Sequence, residues 1–322
     1  MVANIEGDRM AHTSNIKPWW GIGKAITDPT DPEKTLREAG MDFVYVVRAP
    51  MLRLGYAAME PSKYARCIVA VVDGVEHEVQ SCGTRWMPHQ PADIIEFYRQ
   101  VAQKMDLRLE TAGVLGGFST IWAMARVPKV IRLIDDEIHP YISFVTGVKG
   151  MASHIAGHTN AIVCQNTMEI ALRSKSKTIY DHRKSLNVEE VVDNLNISKD
   201  SFDLYELQIN KMAGTKAPDA EYYFNKILLD GVQPGWFGDE KDNRYVKYTR
   251  EMSQLKDALS EAPGQDLIAR RDNVYGLFNA VTYWTDHSKR SRGDEGRAGS
   301  ILGGRSKLIK HRAWEEALKL VA

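Results

Sequence analysis

The predominant period of the apolar residues changes near Ser185. Before that point, short β-branched and aromatic runs are separated by turn signals, a pattern typical of antiparallel strands. After it, apolar residues recur every three or four positions, which predicts helices. Strands in runs followed by helices in runs favour an α+β protein. We expect a mainly antiparallel sheet with a β-hairpin and packed helices, followed by a helical C-terminal region.

The clearest local signal is the dipeptide Asp73-Gly74 between two β-type runs, residues 65–72 and 75–81. Asp-Gly readily adopts the positive φ angles of a tight β-hairpin turn. One apolar stripe predicts a helix over Pro91–Lys104. Further strands are predicted at residues 42–49, 107–115, 119–127 and 140–148. Further helices are predicted at residues 31–39, 188–212, 219–229, 242–262, 266–288 and 311–320.

These patterns divide the chain into three parts. Residues 1–30 contain PWWGIG and TDPTDP without a sustained period, and we interpret them as an irregular N-terminal arm. Residues 31–185 are predicted to form an α+β core domain, and residues 186–322 a helical C-terminal region. Strands do not alternate regularly with helices, which disfavours a doubly wound Rossmann sheet.

Composition is that of an ordinary globular chain, with 322 residues, 43% hydrophobic and 26% charged. No apolar run approaches the roughly 20 residues of a membrane-crossing helix. The polar start lacks the positive charge and apolar core of a signal peptide. Cys67, Cys82 and Cys164 are too few and too widely spaced for a disulfide framework. We therefore expect a cytoplasmic protein without a membrane partner, whose cysteines are small buried apolar residues.

The formal net charge is zero, with 42 basic and 42 acidic side chains, which removes the simplest argument for a nucleic-acid partner. The distribution is uneven, however. Residues 184–262 carry 10 basic against 15 acidic side chains, and residues 286–312 carry 8 against 3. A neutral chain can still present a basic stripe, because local fields decide what it attracts.

Two motifs point to enzymatic chemistry, and each lacks a necessary part. Gly299–Ser306 has the spacing of a phosphate-binding loop, but Arg305 stands where the loop needs lysine. His154 and His158 are four residues apart, as two metal ligands on one helical face would be, and His182 follows nearby. Gly157 weakens such a helix. The alternative hypothesis is a metal- or nucleotide-dependent enzyme using the region of His154, His158 and His182; no cofactor is predicted.

Basic and aromatic side chains are distributed through the β-rich half. Binding of single-stranded nucleic acid needs this mixture, because cations contact phosphates and flat side chains stack on bases. The bland interpretation is that tryptophans such as Trp122 are core and the cations form a solvated rim. The candidate nucleic-acid-binding residues are Arg85, Trp86, Arg126, Lys129, Arg132, Arg173, Lys177 and Arg183.

Several motifs together resemble the phage/plasmid-like conserved protein family, a group of unknown function carried by bacteriophages, plasmids and bacterial genomes. They are PWWGIG, AGMDFVY, ETAGVLGG, IWAMARVP, VCQNT and FNAVTYWTDH. The match spans nearly the whole chain in the family's order. The chain departs from the family at Trp20, where the family commonly has histidine.

The order of elements is also similar to that of ring-forming single-strand annealing recombinases. This resemblance implies a non-enzymatic protein that binds and anneals single-stranded DNA in phage or plasmid recombination. Copies would join into a homo-oligomer, a ring or a filament, and hold one strand by its phosphates in a shared basic groove. A third hypothesis is a structural or host-interaction protein without a nucleic-acid ligand.

Overall fold

The computed structural model describes residues 10–12, 24–26, 32–53, 59–84, 87–115, 117–138, 140–148, 153–160, 178–180, 187–196, 199–229, 242–290, 300 and 305–322. These residues form an α+β fold, as predicted. The strands within them are β1 Met10–His12, β2 Lys24–Ala25, β3 Val44–Arg48, β4 Met51–Arg53, β5 Met59–Pro61, β6 Arg66–Val72, β7 Val75–Cys82, β8 Arg108–Leu115, β9 Thr120–Arg126, β10 Ile131–Leu133, β11 Asp136–Ile138, β12 Pro140–Gly147, β13 Ser153–Asn160 and β14 Thr178–Tyr180.

The helices follow mostly after β14. They are α1 Pro32–Glu38, α2 Pro91–Lys104, α3 Val188–Asn196, α4 Lys199–Gly214, α5 Ala220–Leu228, α6 Asn243–Glu261, α7 Val274–Tyr283 and α8 Arg305–Val321. A 3-10 turn lies at Ile268–Arg270, and a π-helical segment, Trp284–Ser288, continues α7. The C-terminal region is therefore helical, as the change of period predicted.

A seven-stranded sheet forms the largest β layer, in the order β14-β13-β12-β9-β8-β1-β2. Its neighbouring strands are antiparallel except for the short pair β1 and β2. This confirms the predicted mainly antiparallel sheet. The strands β1 and β2 lie in the segment that was interpreted as an irregular arm. Residues 10–12 and 24–25 of that segment therefore have regular secondary structure.

The Asp73-Gly74 hairpin is confirmed. It joins β6 to β7, and its two residues have φ angles of 49° and 78°. Strand β3 adds to β6 and completes a three-stranded sheet. The Gln90 side chain covers part of the outer edge of β3, because its amide accepts a hydrogen bond from Tyr45 N and donates one to Tyr45 O. The Gln90 amide thus pairs with backbone groups at the edge of β3, where a strand of another chain could otherwise pair.

Helix α2 has the predicted bounds and packs its apolar stripe on the seven-stranded sheet. Ile94, Tyr98 and Val101 are buried in one core with Ile121 and Ala123 of β9. Burying one such large side chain stabilises the fold by roughly 1.5–3 kcal/mol. This first core fixes which face of β9 is turned toward the helix.

A second core lies among the helices α4 to α8. Phe224, Trp284 and Trp314 are buried there, and Tyr205 stacks on Trp314 with ring centroids 5.3 Å apart. The hairpin β10–β11 also belongs to this core, because Ile131, Leu133 and Ile138 are buried in it. The sequence does not predict this hairpin, since DD interrupts the apolar pattern of its segment.

The hairpin β10–β11 is held to the helices by its acidic turn. Arg270 contacts Asp136 through Nη2 at 2.7 Å and Nε at 2.9 Å, and both side chains are buried. Asp135 accepts hydrogen bonds from the backbone N–H groups of Ile268 and Ala269 at 2.8 and 2.9 Å. A strand pair from the first half of the chain is therefore locked onto the helical half.

The two cores do not follow the predicted division at residue 185. The second core takes β10 and β11 from before it, and the first core takes Val191 of α3 from after it. A shared hydrophobic core does not by itself define a domain, so the predicted domain boundaries stay a prediction. Among the helices, the predicted segment 188–212 contains α3 and the greater part of α4, and residues 266–273 precede α7 as turns around the 3-10 turn. Cys67 is buried and Cys82 half-buried; Cys164 lies outside the described residues.

Replacing Asp136 by Ala should destabilise the protein by about 3–5 kcal/mol, because it leaves the Arg270 guanidinium buried without its carboxylate. Urea unfolding measures the change. The control is Glu137→Ala on the same hairpin, which removes an exposed ion pair with Arg132 and should cost less than about 1 kcal/mol. Equal small losses in both variants would contradict the structural role of the buried pair.

Asp135 gives a pH dependence. The N–H groups of Ala269 and Ile268 lower the pKa of its carboxyl. Such a group stabilises the fold above its unfolded pKa, and this contribution is lost as pH falls through the lower, folded pKa. Asp135→Asn should therefore make the melting temperature less sensitive to acid between about pH 6 and pH 2. An unchanged acid dependence of Tm would show that these hydrogen bonds contribute nothing.

Candidate nucleic-acid interface

A row of polar side-chain types crosses one end of the seven-stranded sheet. Arg126, the last residue of β9, pairs with Arg108 of β8 on one side and with Tyr141 of β12 on the other. Tyr141 in turn pairs with Thr159 of β13. Four neighbouring strands thus place two arginines, a tyrosine and a threonine at one level. We call Arg108, Arg126, Tyr141 and Thr159 the transverse row.

The alternation of β9 places Arg126 on the face away from α2. Ile121, Ala123 and Ala125 lie in the first core, so the side chains between and after them face the other side of the sheet. Trp122 and Met124 on that side are buried. For Trp122, the bland interpretation as a structural residue is therefore supported. Arg126 lies beyond them, and its side chain is 30% exposed.

The two arginines form a like-charged cross-strand pair. Directly opposite like charges destabilise a sheet, and one carboxylate lies close to this pair. Glu110, the extra residue of a β-bulge between Leu109 and Thr111, has its Oε1 3.6 Å from Nη1 of Arg126. The Glu110 side chain is 3% exposed and that of Arg126 30%. Arg108 is exposed and makes no ion pair within the described part of the chain.

This arrangement can attract an anion. Two guanidinium groups lie on paired residues, whose Cα atoms are roughly 4.5–5.5 Å apart in an antiparallel sheet, and one carboxylate offsets one of the two charges. Guanidinium groups offer paired donors that match the oxygens of a phosphate. A phosphate between Arg108 and Arg126 would relieve the repulsion that the sheet imposes on them.

The other two described basic candidates have acidic partners. Lys129 contacts Asp203 Oδ1 and Glu206 Oε2 of α4, each at 2.6 Å, and these hydrogen bonds raise the pKa of its ammonium group. Its charge is compensated, and its observed role is to fasten the end of β9 to α4. Arg132 is 74% exposed on the hairpin β10–β11 and contacts Glu137 at 3.1 Å. It lies on a different element from Arg126.

The remaining candidates, Arg85, Trp86, Arg173, Lys177 and Arg183, lie outside the described residues. Arg108 was missed in the sequence. It begins a predicted strand, and nothing in its local sequence distinguishes it from other surface arginines. Only the strand register places it beside Arg126, since register depends on pairing between distant segments.

The histidine pair is not on a helix. His154 and His158 lie in strand β13, where residues rise about 3.3 Å each, so a separation of four residues spans about 13 Å. The helical spacing that suggested two ligands of one metal is therefore wrong, and His182 lies outside the described residues. Within the described part of the chain, no group of three or more His, Cys, Asp or Glu side chains could hold a metal ion.

Several cations of the basic segment 286–312 contact other residues of the helical region. Lys310 is buried and contacts Asp286 of the π-helical segment at 3.1 Å. Arg305 lies 3.6 Å from the buried Glu251, and Arg312 donates to Ile227 O. At the start of α8, the Ser306 hydroxyl contacts Ser300 and Lys289. Of the segment Gly299–Ser306, residues 299 and 301–304 lie outside the described residues.

Comparison with known proteins gives one match. A family model described as a domain of unknown function, DUF932, matches residues 78–302. This range contains the second half of the hairpin strand β7, helix α2, the transverse row and most of the helical region. No curated protein and no solved structure matches the chain. None of the helices in the described ranges is long and apolar enough to cross a membrane. The match covers more than two thirds of the sequence, and the chain belongs to the DUF932 family.

Proposed function

We propose that this protein binds single-stranded DNA and anneals complementary strands, without a catalytic step, as a homo-oligomer acting in phage or plasmid recombination in the bacterial cytoplasm. The observation that carries the proposal is the pairing of Arg108 with Arg126 at one end of the seven-stranded sheet. Two cations held opposite one another by backbone register form a preorganised site for a phosphate.

The rest of the transverse row fits the same ligand. Tyrosine and threonine are residue types that contact bases, sugars and phosphates in nucleic-acid complexes. Tyr141 and Thr159 continue the row across β12 and β13. A strand of DNA lying across this end of the sheet would cross these four positions in turn, and arginine, tyrosine and threonine can contact the backbone and bases of any sequence. Such contacts are independent of sequence, as annealing requires.

The row is short, which supports assembly of several copies. One copy offers a single arginine pair among its described residues, and affinity for a long strand would come from repetition of this pair around an oligomer. Linked sites bind one polymer far more tightly than each site alone. The homo-oligomer is therefore part of the proposal.

The first test reverses the charge at the row. Arg108→Glu and Arg126→Glu should each weaken binding of a fluorescent single-stranded oligonucleotide by roughly tenfold or more, since a hydrogen bond to a charged group is worth about 1.5–3 kcal/mol. Fluorescence anisotropy measures the affinity, and circular dichroism checks the fold. Arg108 is exposed, and Arg108→Glu leaves the contact of Arg126 with Glu110 in place, whereas Arg126→Glu puts a second carboxylate beside Glu110.

The matched control is Lys63→Glu, which makes the same charge change at an exposed position after β5. It should bind like the natural chain at the same salt concentration. If all three variants lose affinity equally, binding is due to overall charge. If Arg108→Glu and Arg126→Glu bind normally, the row is not the site.

The second test uses salt. For single strands, the logarithm of affinity falls with the logarithm of salt concentration by about 0.7 per phosphate contacted. Arg108→Ala should reduce this slope by about 0.7 if Arg108 neutralises one phosphate. Binding of labelled oligonucleotides between about 50 and 200 mM salt gives the slope, and pairing of two complementary labelled strands gives the annealing rate. No binding at low salt would favour the structural or host-interaction hypothesis.

A further inference from the structure

One isoleucine projects from the hairpin β10–β11. Ile134 occupies the first position of its two-residue turn and is 81% exposed. Its φ angle is +26°, a conformation that a β-branched residue adopts only at a steric cost. Turns of this kind normally carry glycine or asparagine at such positions. An exposed apolar side chain held in an unfavourable backbone conformation needs a reason.

The turn below Ile134 is fixed. The Asp135 carboxylate accepts two backbone N–H groups from residues 268 and 269, and Asp136 forms the buried ion pair with Arg270. Ile268, which is 58% exposed, lies on the segment that Asp135 contacts. Ile134 is therefore a rigid apolar projection with a second exposed isoleucine on the adjoining segment. We call Ile134 and its turn the knob.

A small pocket lies elsewhere, between α1, α2 and β8. Its volume is about 80 Å³, with polar groups such as Thr111 and Glu110 at one side. A dry cavity of about 150 Å³ holds benzene, or roughly 25 Å³ per non-hydrogen atom. On that scale this pocket takes three or four carbon atoms, which is too few for a nucleobase and close to the four of an isoleucine side chain. Its aliphatic lining consists of Ile26, Leu36, Ala92, Ile95, Leu109 and Ala112.

The charges beside the knob and the pocket also match. The pocket lining includes the ion pair Glu96–Arg99, and the knob hairpin carries the ion pair Arg132–Glu137. All four side chains are exposed enough to exchange partners. Arg132 of one copy can meet Glu96 of another, while Glu137 meets Arg99. No charge would lose a partner in this exchange.

We propose that Ile134 of one copy inserts into the α1–α2–β8 pocket of a second copy. Knob and pocket are different surfaces, so each copy can donate one knob and accept one knob. Such heterologous contacts build a ring when the rotation closes and a filament when it does not. The inference rests on the homo-oligomer of the proposed function and names its contact, and it is testable without DNA.

The test combines two variants that damage opposite halves of the contact. Ile134→Asp puts a charge where the pocket is apolar, and Ala92→Trp fills the pocket from an exposed position of α2. Mass photometry of the natural chain should show assemblies of many copies, and each variant alone should be monomeric. A mixture of the two variants should give heterodimers, because one retains the pocket and the other retains the knob.

The control is Val246→Asp, at a similarly exposed apolar position on α6, which should assemble normally. Arg108 is exposed and does not line the pocket, so Arg108→Glu should also assemble, and loss of DNA binding and loss of assembly are separable. A natural chain that stays monomeric at every attainable concentration overturns the inference. Assemblies that survive in both variants also overturn it, and so does a mixture that remains monomeric. Whether these chains bind an oligonucleotide does not decide this inference, because DNA binding is tested separately.

Discussion

The packing of one face of β9 against α2 is the constraint on which the candidate site depends. Ile121, Ala123 and Ala125 must be buried under the helix, and side chains alternate strictly along a strand. A slip of one residue would turn Arg126 into the core and Ala125 outward. The apolar face therefore fixes the register of β8 and β12 around β9, and the register places Arg108 and Arg126 side by side. The hydrophobic effect positions the charges.

A second constraint ties the β-rich part to the helices. The hairpin β10–β11 leaves the sheet layer and joins the helical core, so the end of β9 cannot move independently of α4 and the 3-10 turn. Lys129, bound to Asp203 and Glu206, fastens the same junction. Buried ion pairs such as Asp136–Arg270 contribute little net stability compared with apolar substitutes. Their geometry nevertheless allows one arrangement of the turn, and that arrangement holds Ile134 outward.

Local signals in the sequence predicted much of the fold. The Asp73-Gly74 turn and the stripe of α2 were predictable because each depends on residues close in sequence. The hairpin β10–β11 was not, because DD at its turn is an acidic pair whose partners, Arg270 and the N–H groups of residues 268 and 269, lie more than 130 positions away. Strands β1 and β2 were missed because two or three residues carry no period. Of the candidate site, Arg126 was predicted from its position at a strand end, whereas Arg108 needed the register. The helical interpretation of His154 and His158 failed because Gly157 and the neighbouring small residues suit a strand paired on both sides.

Counts of charge along the chain were a poor guide to the local field. In the most basic segment, residues 286–312, Lys310 and Arg305 contact the carboxylates of Asp286 and Glu251, and Arg312 donates to a backbone carbonyl. Among the described residues, the transverse row has two arginines, and the carboxylate of Glu110 lies beside one of them, Arg126. A phosphate responds to the net charge of the groups close to it, and burial decides which cations and carboxylates those are. Glu110 lies near Arg126 and orients its guanidinium group, but it does not neutralise the neighbouring Arg108. In this way a protein without net charge can attract an anion at one position, the end of a sheet.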